Sequence, residues 1–154
     1  MRRAALLAAV LLGVAALACV RPRRPSSPLP EQGFRADISA ARLPASVPAG
    51  SVFTAHVTVR NASPVEWRGG RGLPNALNLA YHWLSPGGET LVFDGRRTPL
   101  PRRVAPGESV SLEAAIDVPV QPGDYVLELD LVQESVAWFG SRGSRTSRVP
   151  VRAD

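Results

Sequence analysis

The stretch from Ser51 to Arg60 reads SVFTAHVTVR, and from its third residue onward apolar and polar side chains alternate. The apolar members of this series are Phe53, Ala55, Val57 and Val59. Successive side chains of a β-strand point to opposite faces, so this spacing predicts a strand with one face on a core and the other in water.

The same alternation recurs further along the chain, with turn signals between the segments. The clearest segments are Leu77–Leu84, Ser109–Val118 and Tyr125–Leu131, and weaker ones are Arg35–Leu43 and Arg145–Arg152. Proline and glycine mark turns at Ser85–Gly88, Ala105–Glu108 and Gln121–Asp124, the last two in an order that suits type II geometry. This spacing predicts seven or eight short strands, and therefore an all-β, immunoglobulin-like antiparallel β-sandwich.

Three single residues refine the predicted sandwich. Trp83 belongs to the inward series of its strand, which predicts a core position. Tyr125 starts a late strand, where a tyrosine in such folds hydrogen-bonds back across a corner. Pro150 lies inside the last predicted strand, which indicates an edge strand or a bulge because proline donates no ladder hydrogen bond.

The first eighteen residues have the pattern of a secretion signal. Arg2 and Arg3 form a positive start, and the segment Ala4–Ala18 is apolar throughout. A membrane-spanning helix needs about 20 such residues, so the shorter run predicts a cleaved signal peptide over residues 1–18.

The single cysteine, Cys19, follows this run directly, and Ala16–Cys19 resembles the lipobox of bacterial lipoproteins. That resemblance implies a lipid on the Cys19 thiol, a tether over residues 19–33 and a folded domain over residues 34–154. Val20 in place of aspartate resembles the signal for outer-membrane delivery. The alternative is ordinary cleavage after Ala18, which would give a soluble periplasmic or secreted protein.

The charge of the chain is concentrated at its start. All 18 basic residues are arginine and the formal net charge is +5, but residues 34–154 hold 13 arginines against 12 acidic residues. A nucleic-acid-binding domain carries a clustered basic face, so the near-neutral domain argues against nucleic acid as a partner.

No motif in the sequence predicts catalysis. His56 and His82 both fall on outward-facing strand positions, which indicates surface histidines, and there is no Cys/His cluster for a metal. Nucleophile elbows, phosphate-binding loops and calcium loops are absent from the sequence. We therefore predict a protein that is not an enzyme and needs no cofactor or metal.

Aromatic residues and arginines at loop ends are the candidates for binding. Neighbouring residues of an extended segment point to opposite sides, so one of Trp138 and Phe139 should be exposed. The candidate binding surface consists of Trp67, Arg68, Trp138, Phe139, Arg142 and Arg145. The alternative is that the aromatic members cap the core and bind nothing.

Two segments carry a family resemblance. They are Phe93–Pro101, which reads FDGRRTPLP, and Leu131–Phe139, which begins LVQE and ends in WF. Together they resemble an immunoglobulin-like β-sandwich module found in bacterial envelope proteins and appended to some glycosyltransferases. The resemblance implies the sandwich fold and an accessory binding role, and it does not imply a ligand.

These observations predict an exported, non-enzymatic module that is anchored by lipid at the outer membrane or elsewhere in the cell envelope. Its ligand would be an envelope protein or a glycan. The alternative function is a structural lipoprotein subunit of an envelope secretion or polysaccharide-export assembly.

Overall fold

The computed structural model of the protein describes residues 27–41 and 43–154. The predicted signal peptide, Cys19 and the first part of the predicted tether lie outside the described residues. The strands are β1 (Ala36–Ala40), β2 (Ser46–Val47), β3 (Val52–Asn61), β4 (Leu77–Leu84), β5 (Thr90–Val92), β6 (Thr98–Pro99), β7 (Ser109–Asp117), β8 (Gly123–Gln133), β9 (Ala137–Trp138) and β10 (Ser147–Ala153). Two short 3₁₀ turns, Glu31–Gly33 and Gly140–Arg142, accompany them, and the described chain has no helix long and apolar enough to cross a membrane.

The strands form two sheets. The smaller sheet has the order β1-β3-β7, and the larger has the order β2-β10-β8-β4-β5, with β6 beside β4 and β9 beside β8. This confirms the predicted all-β sandwich, and seven strands of the described chain have three or more residues. The pairing of β2 with β10 is parallel, so the larger sheet is mixed at this edge, while the other pairings are antiparallel.

The predicted strands and turns match the structure closely, with one exception. β4 has the predicted bounds, and β3 is displaced by a single residue. Gly107 has φ +79, as a type II turn requires. Gly123 is the exception, because it keeps an ordinary backbone conformation and already begins β8.

The core lies between the two sheets and contains the inward series of each long strand. Examples that are at most 1% exposed are Val57, Val59, Leu79, Trp83, Ile116, Leu127 and Leu129. Burial of each such side chain contributes about 1.5–3 kcal/mol, and this burial makes the alternating pattern decisive for the fold. Trp83 is in the core as predicted, and its indole N–H donates to the carbonyl of Asp117 at 2.8 Å.

The two remaining single-residue predictions are also confirmed. The Tyr125 hydroxyl donates to the carbonyl of Gln121 at 2.7 Å, which closes the corner before β8. Pro150 pairs with Val126 of β8 on one side, while β2 reaches only Arg152 and Ala153 on the other. The middle of β10 is therefore an edge, where the N–H that proline lacks is not needed.

The end of the predicted tether packs onto the sandwich. The Leu29 N–H donates to Gln133 Oε1 at 2.8 Å, and the Gln133 amide donates to the carbonyl of Ser27 at 3.4 Å. Gly33 is buried and its carbonyl accepts the indole N–H of Trp67 at 2.9 Å. Residues 27–33 thus belong to the folded unit, because Gln133 and Trp67 supply partners for their backbone.

Candidate functional site

Two of the predicted surface residues lie in the core. Trp67 and Phe139 are both 0% exposed, and their rings meet edge to face at 5.4 Å. Phe34 completes the group at 5.1 Å from Phe139. The prediction that Trp67 and Phe139 present a binding surface is wrong, because they cap one end of the sandwich under the docked residues 27–33.

Trp138 lies on the other side of the same segment, as the sequence predicted for one of the two neighbours. It is half-buried, and β9 places it opposite Val132 of β8. Residues paired across strands share a face, so Trp138 stands on the outer face of the larger sheet. It is the one of the three tryptophans that reaches the surface.

The predicted arginines do not gather around Trp138. Arg142 pairs with Glu31 at 3.0 Å and lies over the Phe34 ring at 5.6 Å. Arg68 is exposed beside the docked segment, and Arg145 is exposed with no ion pair in the described chain. The residues of the predicted binding surface therefore lie in separate regions of the structure.

His82 is buried under two aromatic rings. Its ring centroid lies 4.4 Å from that of Trp138 and 4.8 Å from that of Phe93, and the latter two rings meet at 5.3 Å. We call Phe93, His82 and Trp138 the ring cluster. His82 points outward from β4 as predicted but is only 5% exposed, so the prediction of a surface histidine holds for His56 and is wrong for His82.

Polar partners fix the imidazole of His82 from both sides. Nδ1 contacts the carbonyl of Phe93, and Nε2 lies 3.9 Å from Oδ2 of Asp130. Asp130 is 2% exposed, and both its carboxylate oxygens accept the N–H of Gly140 at 3.1 Å. Burial opposes protonation of His82, but Asp130 and the Phe93 carbonyl outweigh it, so the pKa of His82 is raised from 6.5.

Arg97 also contacts Trp138 and helps to hold it in place. Its guanidinium carbon lies 4.9 Å from the indole centroid, and its Nε donates to Glu134 at 3.0 Å. Its Nη1 pairs with Asp94 at 2.5 Å and donates to the carbonyl of Gly95 at 2.6 Å. Arg97 thus joins the two segments that carry the family resemblance, one containing Asp94 and the other Glu134.

A groove of about 400 Å³ runs beside the ring cluster on the same face. Its floor includes Glu128 and Asp130 from β8, and Thr146 and Arg148 form one side. Glu128 Oε1 accepts Thr146 Oγ1 at 2.6 Å and Arg148 Nε at 2.9 Å. Burial would raise the pKa of Glu128, but these two donors lower it, so the carboxylate is held ionised.

Partial signals for this site are present in the sequence. His82, Glu128 and Asp130 all lie on outward positions of β4 and β8, which are neighbours with His82 opposite Glu128. Phe93 stands at the start of a segment already singled out for its resemblance. The missing information was the pairing of β4 with β8, which brings these positions together.

Among the described residues, no group of three or more His, Cys, Asp or Glu side chains is placed to hold a metal ion.

Comparison with known proteins found similar solved structures. No protein-family model and no curated protein matches the chain. A CARDB domain from Pyrococcus furiosus, solved in complex with di-metal ions, aligns with a TM-score of 0.46 and 13% identity over 78% of this chain and 86% of its own. The sporulation control protein Spo0M from Bacillus subtilis aligns with a TM-score of 0.48 and 9% identity over 78% of this chain and 49% of its own.

A third similar structure is a β-glucosidase from Listeria innocua in complex with gluconolactone. It aligns with a TM-score of 0.47 and 10% identity over 77% of this chain and 16% of the enzyme. The assignment of this chain to the all-β sandwiches rests on its own two sheets.

Proposed function

We propose that this chain is a non-enzymatic binding module of the bacterial cell envelope, held at a membrane by lipid on Cys19. Its binding surface is the outer face of the larger sheet around Trp138. The observation that carries the proposal is the ring cluster itself, in which a half-buried Trp138 and an exposed Phe93 are fixed by His82 and Arg97. Aromatic side chains held in place before binding lose little conformational entropy on association.

The position of the cluster suits a tethered module. Residues 27–29 meet the domain at Gln133, which is paired with Leu77 at one end of β4. His82 lies five residues further along β4, or about 17 Å at the rise of an extended strand. His82 and the groove beside it are therefore displaced from the point where the tether joins, whereas the backbone of Trp138, opposite Val132, lies near that point.

A second candidate function is that of a structural lipoprotein subunit in an envelope secretion or polysaccharide-export assembly. The observation in its favour is the edge strand β5, where Leu91 and Val92 are 51% and 40% exposed. Exposed apolar edges are sites of strand addition. The register of β5 against β4 shifts between Trp83 and Leu84, and such irregularity shortens the edge available for pairing.

The anchor is tested by mass spectrometry of the N-terminus of the full chain purified from bacterial membranes. The expected result is a chain that begins at an acylated Cys19, and a Cys19→Ser variant should leave the membrane fraction. A mature chain that begins at an unmodified Cys19 would overturn the anchor and leave a soluble exported protein.

The binding surface is tested by retention of the Cys19→Ser chain, which carries no lipid, on isolated cell envelopes, with each further variant made in this background. Trp138→Ala should lose retention, while Arg145→Ala, which removes an exposed arginine with no described ion pair, should keep it. Equal retention of both variants would overturn the assignment of the ring cluster as the binding surface.

A further inference from the structure

The groove beside the ring cluster has hydrogen-bonding capacity that the fold does not use. Glu128 Oε1 accepts both bonds from Thr146 and Arg148, and Oε2 accepts none from a described residue. Every fully buried polar side-chain atom of the described residues has a hydrogen-bond partner. Because Oε2 of Glu128 has none, it is not fully buried and is open to the groove. Arg148 donates to Glu128 through Nε, and its side chain is 60% exposed. Its two terminal nitrogens make no hydrogen bond to the described chain.

The charges in the groove are balanced in pairs. Glu128 is paired with Arg148 at 2.9 Å, and Asp130 faces His82 at 3.9 Å. A strongly anionic or cationic ligand would meet a like charge in one of these pairs, and such contacts oppose binding. The groove therefore suits a neutral ligand that both donates and accepts hydrogen bonds.

Phe93 adds an aromatic face to these polar groups. One face of its ring stacks on His82 at an interplanar angle of 27°, and the residue is 57% exposed, so the opposite face is open to solvent. Trp138 contacts both His82 and Arg97 and forms a wall of the groove. A ligand with a flat apolar face would bury the open face of Phe93.

We infer that this groove binds a neutral saccharide. The apolar C–H face of a sugar ring packs on Phe93, while one hydroxyl group donates to Glu128 Oε2 and a neighbouring one accepts from Arg148. A volume of about 400 Å³ lies within the range of small-molecule sites and accommodates one or two sugar rings. This assignment rests on the proposed function and specifies the ligand class of the same face.

The test is titration of the full chain with chitotriose and with maltotriose, each up to about 10 mM, because isolated short saccharides bind weakly. Calorimetry gives the affinity, and the tryptophan emission, to which Trp138 at the groove contributes, reports on the site. Phe93→Ala should weaken binding about tenfold, and Phe93→Tyr should retain it. Glu128→Gln should also weaken it, and Val120→Ala, which shortens an exposed apolar side chain outside the groove, should leave it unchanged.

The inference is overturned if neither saccharide binds the unaltered chain, or if Phe93→Ala binds as well as the unaltered chain while urea melts show that both are folded. If both saccharides fail but retention of the Cys19→Ser chain on envelopes still depends on Trp138, the proposed binding surface stands and only the saccharide assignment falls. If retention is also independent of Trp138, the proposed binding surface falls with it.

Discussion

The imidazole of His82 and the carboxylate of Asp130 face each other at 3.9 Å from adjacent strands, with side chains that are 7% and 3% exposed. A buried carboxylate needs a positive or hydrogen-bonding partner, and Asp130 has the N–H of Gly140 on one side and His82 on the other. The rings of Phe93 and Trp138 pack on His82 and cover it. Stability of the binding face is therefore linked to the protonation of one histidine.

This linkage predicts a stability that depends on pH. The folded protein raises the pKa of His82, so it holds this proton more tightly than the unfolded chain does. The contribution of His82 to the free energy of unfolding is fully present below pH 6.5, which is the ordinary pKa of histidine. It is lost as the pH rises through the pKa of His82 in the folded state. In urea unfolding, the unfolding free energy of the unaltered protein should decline above pH 6.5. The His82→Gln variant should not show this decline.

The control for this measurement is His56→Gln, which removes a histidine whose side chain is 68% exposed on β3. It should keep the decline of the unaltered protein. If the profile of His82→Gln falls as steeply as that of His56→Gln, the link between His82 and stability is wrong.

Loss of Arg97 should release Trp138. Arg97→Ala removes the guanidinium over the indole together with bonds to Glu134 and to the carbonyl of Gly95. We expect a cost of about 1–2 kcal/mol in unfolding free energy and a red-shifted emission, because Trp67 and Trp83 stay buried while Trp138 gains water. Arg145→Ala should change neither quantity, and an unshifted spectrum for Arg97→Ala would show that Trp138 does not depend on Arg97.

Gly95 should not tolerate a side chain. A Cβ at this position would lie 2.5 Å from the carbonyl oxygen of Tyr81, in the neighbouring β4. Gly95→Ala must therefore displace the segment that carries Phe93 and Arg97, at a cost of about 1–3 kcal/mol. The matched variant is Gly87→Ala, where the nearest atom is Ser85 Oγ at 3.7 Å, and it should be close to neutral in the same thermal melts. Equal melting temperatures for the two variants would contradict the close approach.

The corner tyrosine should contribute measurably to stability. Tyr125→Phe removes the hydroxyl that donates to the Gln121 carbonyl at 2.7 Å and leaves the ring against Trp83 at 5.8 Å. The expected loss is about 1 kcal/mol in urea unfolding, which is the usual net value of one such bond. A variant as stable as the unaltered protein would mean that water replaces the lost bond without cost.

The sequence predicted the strands well because the signal for a strand is local. The bounds of β4, the inward position of Trp83 and the edge character at Pro150 all follow from spacing within a few residues. The opposite orientation of Trp138 and Phe139 follows from the same geometry, since neighbours on an extended chain diverge.

The site was less predictable because it is assembled from segments distant in the sequence. Spacing placed His82 on an outer face, but only the approach of Phe93 and Trp138 buries it there. Trp67 had the sequence context of a loop residue, and its burial depends on Phe34 and Phe139 meeting it at the end of the sandwich.

The sequence by itself thus determined which side chains face the space between the sheets, because the alternation of a strand is fixed by its own backbone. Only the tertiary structure decided which outward side chains are covered and which remain open to a ligand. Whether an outward side chain is covered depends on contacts between segments distant in the sequence, such as Arg97 with Glu134 and residues 27–33 with Gln133. No local sequence pattern predicts those contacts.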